Sequence, residues 1–230
     1  MILSHRHRFI FIKTTKTAGT SFEIALSRLC GPEDIITPIA PEDEVLRRRH
    51  GGRGPQNHLA PWRSYGPKDW YRWLRKGRRK ARFYNHMSAA ELRRLLPPEV
   101  WNGYFKFCFE RNPWDRVISF YYWKHKKAPR PSLAEFVRTG PLERLKAGGE
   151  GLYTIDGEVV VDRIYPYEAL EAAMEDLCRR IGVHPPPELP RAKGGFRPPR
   201  RPYQALLGEA ERDLIGRLFA SEIQRMGYRF

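Results

Sequence analysis

RFIFIKTTKTAGTSFEIALSRLCG, residues 8–31, changes hydrophobic period part-way along. Its first six residues, RFIFIK, form a short apolar run of aromatic and β-branched side chains, which reads as a buried strand. In its last part Phe22, Ala25, Leu26 and Leu29 recur at i, i+3, i+4 and i+7, one apolar face of a helix. Thr20 and Glu23 have capping-box spacing, and Gly31 suits a C-terminal stop. Between them Thr14–Gly19 is a loop, so the unit is strand–loop–helix.

A second such unit lies further on. YFKFCF (104–109) predicts a strand, ERNP a turn, and WDRVISFYYWKH a helix with Asn112 as N-cap and Pro113 at its first position. SAAELRRLL predicts a helix capped by Ser88 and Glu91, preceded by a brief strand at RFYNH. Asp156-Gly157 inside LYTIDGEVVV signals a hairpin. EALEAAMEDLCRRIG and a final helix from about 208 to 225 are amphipathic. Residues 32–66 carry much Pro, Gly and charge and read as a long, partly mobile excursion. With a short basic helix at 67–82 they make a variable insert of about 32–82 in one domain spanning 1–230. Strands alternating with helices predict an α/β sandwich with a mostly parallel sheet.

Composition limits the function classes. Lys and Arg number 42 against 26 Asp and Glu, giving +16, yet 12 Phe, 11 Tyr and 6 Trp can build a sizeable core, which excludes a disordered polyelectrolyte. Arginine supplies 31 of those cations. Such a balance fits nucleic acid, a polyanionic substrate, a membrane surface, or simply solvated arginines. No window reaches the roughly 20 apolar residues of a membrane span. The run Phe9–Ile12 is too short for a signal-peptide core, and Cys30, Cys108 and Cys178 are scattered in apolar surroundings. The expectation is a cytoplasmic protein with no membrane span, no disulfide framework and no metal site.

Two segments carry chemistry. In the first loop Lys16 supplies a mobile positive charge, Thr17, Thr20 and Ser21 supply hydroxyls, and Gly19 permits close backbone approach at a helix N-terminus. G-x-x-x-x-G-K-[ST] is absent, so this is not a Walker A loop. In the second unit Arg111 ends a strand and Ser119 follows eight residues on, an Arg fork and a hydroxyl suited to a phosphate. Two anion sites at neighbouring strand ends suit a nucleotide with two separate phosphate groups.

Together these segments resemble a known family. KTAGTS resembles the 5′-phosphosulfate loop, and RNPWDRVISFY the 3′-phosphate segment, of sulfotransferases that use 3′-phosphoadenosine 5′-phosphosulfate (PAPS). The likeness is strongest to carbohydrate sulfotransferases of family 2, which include the heparan uronyl 2-O enzymes. NHMSAAELRRLLP, DRIYPYEALEAAMEDLCRRIGV and AERDLIGRLFASEIQRMGYRF add to it, so it covers most of the chain outside about 32–80. The resemblance implies a P-loop NTPase-like three-layer sandwich and in-line sulfuryl transfer from PAPS, leaving PAP, to a hydroxyl of a carbohydrate or similar acceptor.

It also implies roles. Lys16 would stabilise the leaving oxygen, Thr17, Ala18, Gly19, Thr20 and Ser21 would bind the 5′-phosphate, and Arg111 and Ser119 the 3′-phosphate. His86 would be the general base, with His58 its competitor. Lys193, Gly194 and Arg197 resemble a loop closing over the 3′-phosphate. Eukaryotic members of that family are typically Golgi-anchored, and the expectation here is a chain without such an anchor. Within this reading, Arg47, Arg48 and Arg49 and the aromatics up to residue 82 are expected to line the acceptor cleft and favour an anionic acceptor. The alternatives are an ATP-dependent, P-loop-like phosphotransferase and a basic nucleic-acid-binding module built on 47–82.

Overall fold

The computed structural model describes residues 1–190, 192 and 201–230. Lys193, Gly194 and Arg197 lie outside the described residues.

In chain order the strands are β1 (Ile2–Ser4), β2 (Phe9–Phe11), β3 (Ile35–Ile36), β4 (Phe105–Glu110), β5 (Thr154–Ile155), β6 (Glu158–Val159) and β7 (Arg163–Pro166). The helices that frame them are α1 (Gly19–Ser27), α2 (Pro41–Arg49), α3 (Pro67–Lys76), α4 (Ala89–Leu95), α5 (Pro98–Gly103), α6 (Pro113–Lys124), α7 (Leu133–Thr139), α8 (Leu142–Ala147), α9 (Glu150–Tyr153), α10 (Leu170–Ile181), α11 (Glu209–Leu218) and α12 (Ala220–Met226). A mixed, mostly parallel sheet runs β3–β1–β2–β4–β7. β2, β4 and β7 are parallel, with Phe11 opposite Phe107 and Phe109 opposite Tyr165, while β1 is antiparallel to both its neighbours. β5 and β6 form a separate hairpin across Asp156-Gly157, both at positive φ, as the Asp-Gly pair requires.

β1, β2 and nearly all of β4 are buried on both faces, so they read as continuous apolar runs. On one face Phe9, Phe11, Phe107, Phe109 and Tyr165 pack against Phe22, Ala25 and Leu26 of α1 and Met174, Leu177 and Cys178 of α10. On the other, Leu3, Ile10 and Cys108 meet Ala89 and Leu92 of α4 together with Trp101 and Tyr153. A third cluster joins α6 to α7, α8 and α11. The three cysteines are free and buried.

Several sequence expectations change. α1 begins at Gly19 behind Ala18, whose φ is 58°, and no side chain caps it; Thr20 sits inside the helix, and Glu23 turns inward to Lys13 instead of closing a capping box. The helix stops at Ser27, short of Gly31. The segment 82–86 is not a strand: Phe83 is buried, its N–H donates to the carbonyl of His58, and His86 has a φ of 59°. The insert is better ordered than its composition implies, because β3 adds an edge to the sheet and α2 packs on α1. Arg47 is fully buried and bound to Glu44 at 3.0 Å, so it cannot meet an acceptor, whereas Arg48 and Arg49 are exposed. The last helix breaks at buried Phe219 into α11 and α12; both halves keep an apolar stripe, so periodicity alone runs through the break.

Candidate active site

Because β2, β4 and β7 run parallel, the loops that leave them emerge on one edge of the sheet. Thr14–Ala18 follows β2, Arg111 follows β4 and Tyr167 follows β7. Ligands of open α/β sheets sit at that edge.

The β2–α1 loop is a tight cradle. Lys16 and Ala18 both have positive φ, at 68° and 58°. The Thr14 hydroxyl lies 2.8 Å from that of Thr17 and donates to the carbonyl of Phe109, pinning the loop to β4. The N–H of Thr15 donates to Gly148 at 2.7 Å. The first-turn N–H groups of α1 have no intrahelical acceptor, no side-chain cap and no acidic residue among them, so they and the helix dipole present positive potential. A Cβ on Gly19 would lie 2.6 Å from Cγ of Lys13, so only glycine lets the helix start here. Ser21 Oγ accepts from the N–H of Ala192 at 3.2 Å.

Behind the loop Lys13 is buried and pairs with Glu23 at 2.5 Å, and Glu23 also meets the amine of Met1. Burial alone would raise the Glu23 carboxyl, but the two cations hold it down at about 2.

His86 touches this loop. Its Nδ1–H donates to the carbonyl of Lys13 at 2.9 Å. A carbonyl only accepts, so Nδ1 carries the proton and Nε2 is the basic nitrogen of the neutral ring. Burial and the Lys13 ammonium push the imidazole down to about 4, which keeps it neutral near pH 7. His58 holds the neighbouring chain through its own carbonyl, which accepts from Arg82 and Phe83.

Arg111 closes the other side. Nη1 donates to the carbonyl of Lys16 at 3.3 Å, Nε and Nη2 bind Asp115 at 2.9 and 2.5 Å, and the guanidinium stacks 4.0 Å above the Tyr167 ring. Lys16 Nζ sits 5.5 Å over Trp123. Asp115, Ser119 and Trp123 fall at i, i+4 and i+8 on α6, one helix face. Ser119, half-buried, therefore occupies the face between the partner of Arg111 and the partner of Lys16.

The strand end is anchored from within. Glu110, next to Arg111, is fully buried and binds Arg116 at 3.0 Å. Arg116 lies 4.0 Å from Glu222 of α12 and donates to the carbonyl of Leu145 at 2.6 Å. One guanidinium faces two carboxylates here; burial and the Glu110 charge raise Glu222 to about 7. A Cβ on Gly149 would come within 2.7 Å of the Arg116 Cζ.

The structure thus brings Lys16, Thr17, Ala18, Gly19, Thr20, Ser21, Arg111, Ser119 and His86 to one edge. Asp115, Trp123, Tyr167 and Lys13 were not singled out from the sequence. Asp115 and Trp123 carried a readable signal, since they share helical spacing with Ser119; Tyr167 lies 56 positions from Arg111 and gave none. Among the described residues no group of three or more His, Cys, Asp or Glu could hold a metal ion, and no helix is long and apolar enough to cross a membrane.

Residues 1–151, about two thirds of the chain and all the site residues named above up to Gly149, match the sulfotransferase family. An uncharacterized protein of Archaeoglobus fulgidus is 33% identical over 112 residues, covering 42% of this chain and 83% of that protein. A sulfotransferase structure from Alicyclobacillus acidocaldarius aligns over 94% of this chain and 92% of that one, with 16% identity and a TM-score of 0.41. The matched stretch contains the β2–α1 cradle, the His86 turn and the β4–α6 unit in full, and on that match the chain belongs to the sulfotransferase family and is a transferase.

Proposed function

We propose that this protein transfers the sulfuryl group of PAPS to a hydroxyl of a carbohydrate or similar acceptor, on a P-loop-like three-layer scaffold. One observation carries the reading: Arg111 bonds to the carbonyl of Lys16 in the loop, and His86 to that of Lys13, just before it. The Arg111 fork and the His86 ring thereby border one short stretch of chain.

The residues present fit the donor. The cradle offers backbone N–H groups, hydroxyls and Lys16 without a carboxylate in the first turn of α1. Thr17, Ala18, Gly19, Thr20 and Ser21 would hold the 5′-phosphate, and Arg111 with Ser119 the 3′-phosphate. When bound, PAPS supplies an activated sulfuryl group whose bridging S–O bond breaks as the acceptor oxygen bonds to sulfur. Lys16 places positive charge where the leaving oxygen gains negative charge. His86, oriented through Nδ1, takes the hydroxyl proton on Nε2. Trp123 limits where the Lys16 ammonium can stand, and Asp115 with Tyr167 holds Arg111 flat.

The test is a thermal-shift titration with PAP against ATP plus Mg²⁺, with Arg111→Ala alongside. At about 100 times its dissociation constant, PAP should stabilise the fold by about 2.7 kcal/mol, and Arg111→Ala should abolish the shift. A response to ATP with Mg²⁺ and none to PAP would overturn the reading in favour of phosphotransfer.

A further inference from the structure

α3 (Pro67–Lys76) has no buried residue. Its apolar side chains nonetheless form one stripe: Trp70, Tyr71, Trp73 and Leu74 share a face, with Lys68, Arg72, Arg75 and Lys76 on the other. Leu74 is 75% exposed and Tyr71 60%, the most exposed large apolar side chains described in the chain. Trp62, just upstream, extends the stripe by stacking on Trp70 at 5.5 Å, and Arg79 lies 4.5 Å over the Trp62 ring. Beside it runs a mainly basic groove of about 630 Å³, where Arg72, Lys76, Arg78, Arg79 and Lys80 line the walls together with Asp69. Between residues 62 and 82 nine Lys and Arg stand against a single acid, Asp69, which Lys80 already binds at 2.8 Å.

We propose that α3 and the Trp62 turn form a peripheral docking surface for an anionic lipid bilayer, the helix lying in the interface with Trp70, Tyr71 and Leu74 facing the acyl chains and the arginines meeting headgroup phosphates. An interfacial helix has this construction: an apolar stripe with Trp and Leu, a cationic polar face and low net hydrophobicity. Tryptophan and tyrosine are the side chains enriched at membrane interfaces. A second copy of the chain does not fit, because two faces of the same strong positive charge repel. A soluble polyanion satisfies the arginines but gains nothing from Leu74, which can neither stack on a ring nor pair with a charge. The bilayer uses both halves of the surface.

Co-sedimentation with vesicles tests this, using pure phosphatidylcholine and phosphatidylcholine with roughly a third phosphatidylglycerol. The protein should bind the anionic vesicles, with a blue shift of its tryptophan emission, and weakly or not at all the neutral ones. Leu74→Glu should weaken vesicle binding by at least about tenfold, and Arg72→Ala and Lys76→Ala by about fivefold each. Because these side chains are exposed, the thermal midpoint should not move, and heparin binding should survive Leu74→Glu. Equal binding of Leu74→Glu and wild type to anionic vesicles would overturn the proposal. So would heparin or single-stranded DNA binding without vesicle binding, or no binding to any of them.

Discussion

Replacing His86 by asparagine separates its geometry from its titration. The position has a φ of 59°, which asparagine tolerates better than most residues, and an asparagine amide can donate to the Lys13 carbonyl as Nδ1–H does. What disappears is the ring's proton equilibrium. In the folded chain that equilibrium sits at about 4, against an ordinary value near 6.5. The gap converts to on the order of 3 kcal/mol, an upper bound because the ring keeps some contact with water. The sign follows from proton counts. Between about pH 6.5 and 4 the unfolded chain binds a proton at this histidine and the folded chain does not. This contribution is therefore complete above pH 6.5 and lost as pH falls towards 4. Denaturant unfolding of wild type and His86→Asn at pH 7 and pH 4 should show the wild type losing up to about 3 kcal/mol more than the variant, since all other groups titrate in both. Turnover should vanish in the variant at every pH while PAP binding remains. With an anionic donor bound, the protonated ring is favoured, so the acid limb of kcat should lie at higher pH than that of kcat/KM. Parallel stability curves for the two proteins would refute the argument.

Other perturbations have equally definite outcomes. Gly19→Ala places a methyl 2.6 Å from Cγ of Lys13 and must displace the buried Lys13–Glu23 pair, so thermal unfolding should show a loss of about 3 kcal/mol and PAP binding should fail. Arg111→Lys keeps the charge but loses the two-pronged grip on Asp115 and the stack on Tyr167; calorimetric titration should show PAP affinity down by about 10- to 100-fold. Glu222→Gln removes a carboxyl raised to about 7, whose folded form binds the extra proton between roughly pH 4.5 and 7. Wild-type stability should therefore fall across that window as pH rises, and the variant's unfolding curve should be flatter, by on the order of 2–3 kcal/mol at pH 8.

What was legible in the sequence, and what was not, divides by range of interaction. The β2–loop–α1 and β4–turn–α6 units were readable because strand period, helix period, Asn112 and Pro113 all lie within a few residues of one another. β1 and β3 were missed because neither sits in an apolar run as long as RFIFIK, and they form only by pairing with each other and β2. Thr20 looked like a cap because its spacing to Glu23 fits one; long-range attraction of Glu23 to Lys13 overrode that local pattern. Lys16, Arg111 and His86 were found as candidates, but the contacts that orient them were hidden. Asp115 was within helical reach, while Tyr167 reaches Arg111 only when β4 and β7 align their ends, and the Lys13 carbonyl meets His86 across 73 positions.

The buried arginine behind the strand end has a consequence for how this sequence can drift. Arg116 fills the space where a Gly149 side chain would begin, and its charge is shared by Glu110 and Glu222, which come from a strand and the C-terminal helix. None of the four positions is free to change alone: an alanine at 149 is tolerated only once the guanidinium has gone, and losing the guanidinium strands two carboxylates in the interior. Natural variants should therefore alter this quartet together or not at all, and because Glu110 adjoins Arg111, a lineage that rebuilds it shifts the proposed donor contact at the same step.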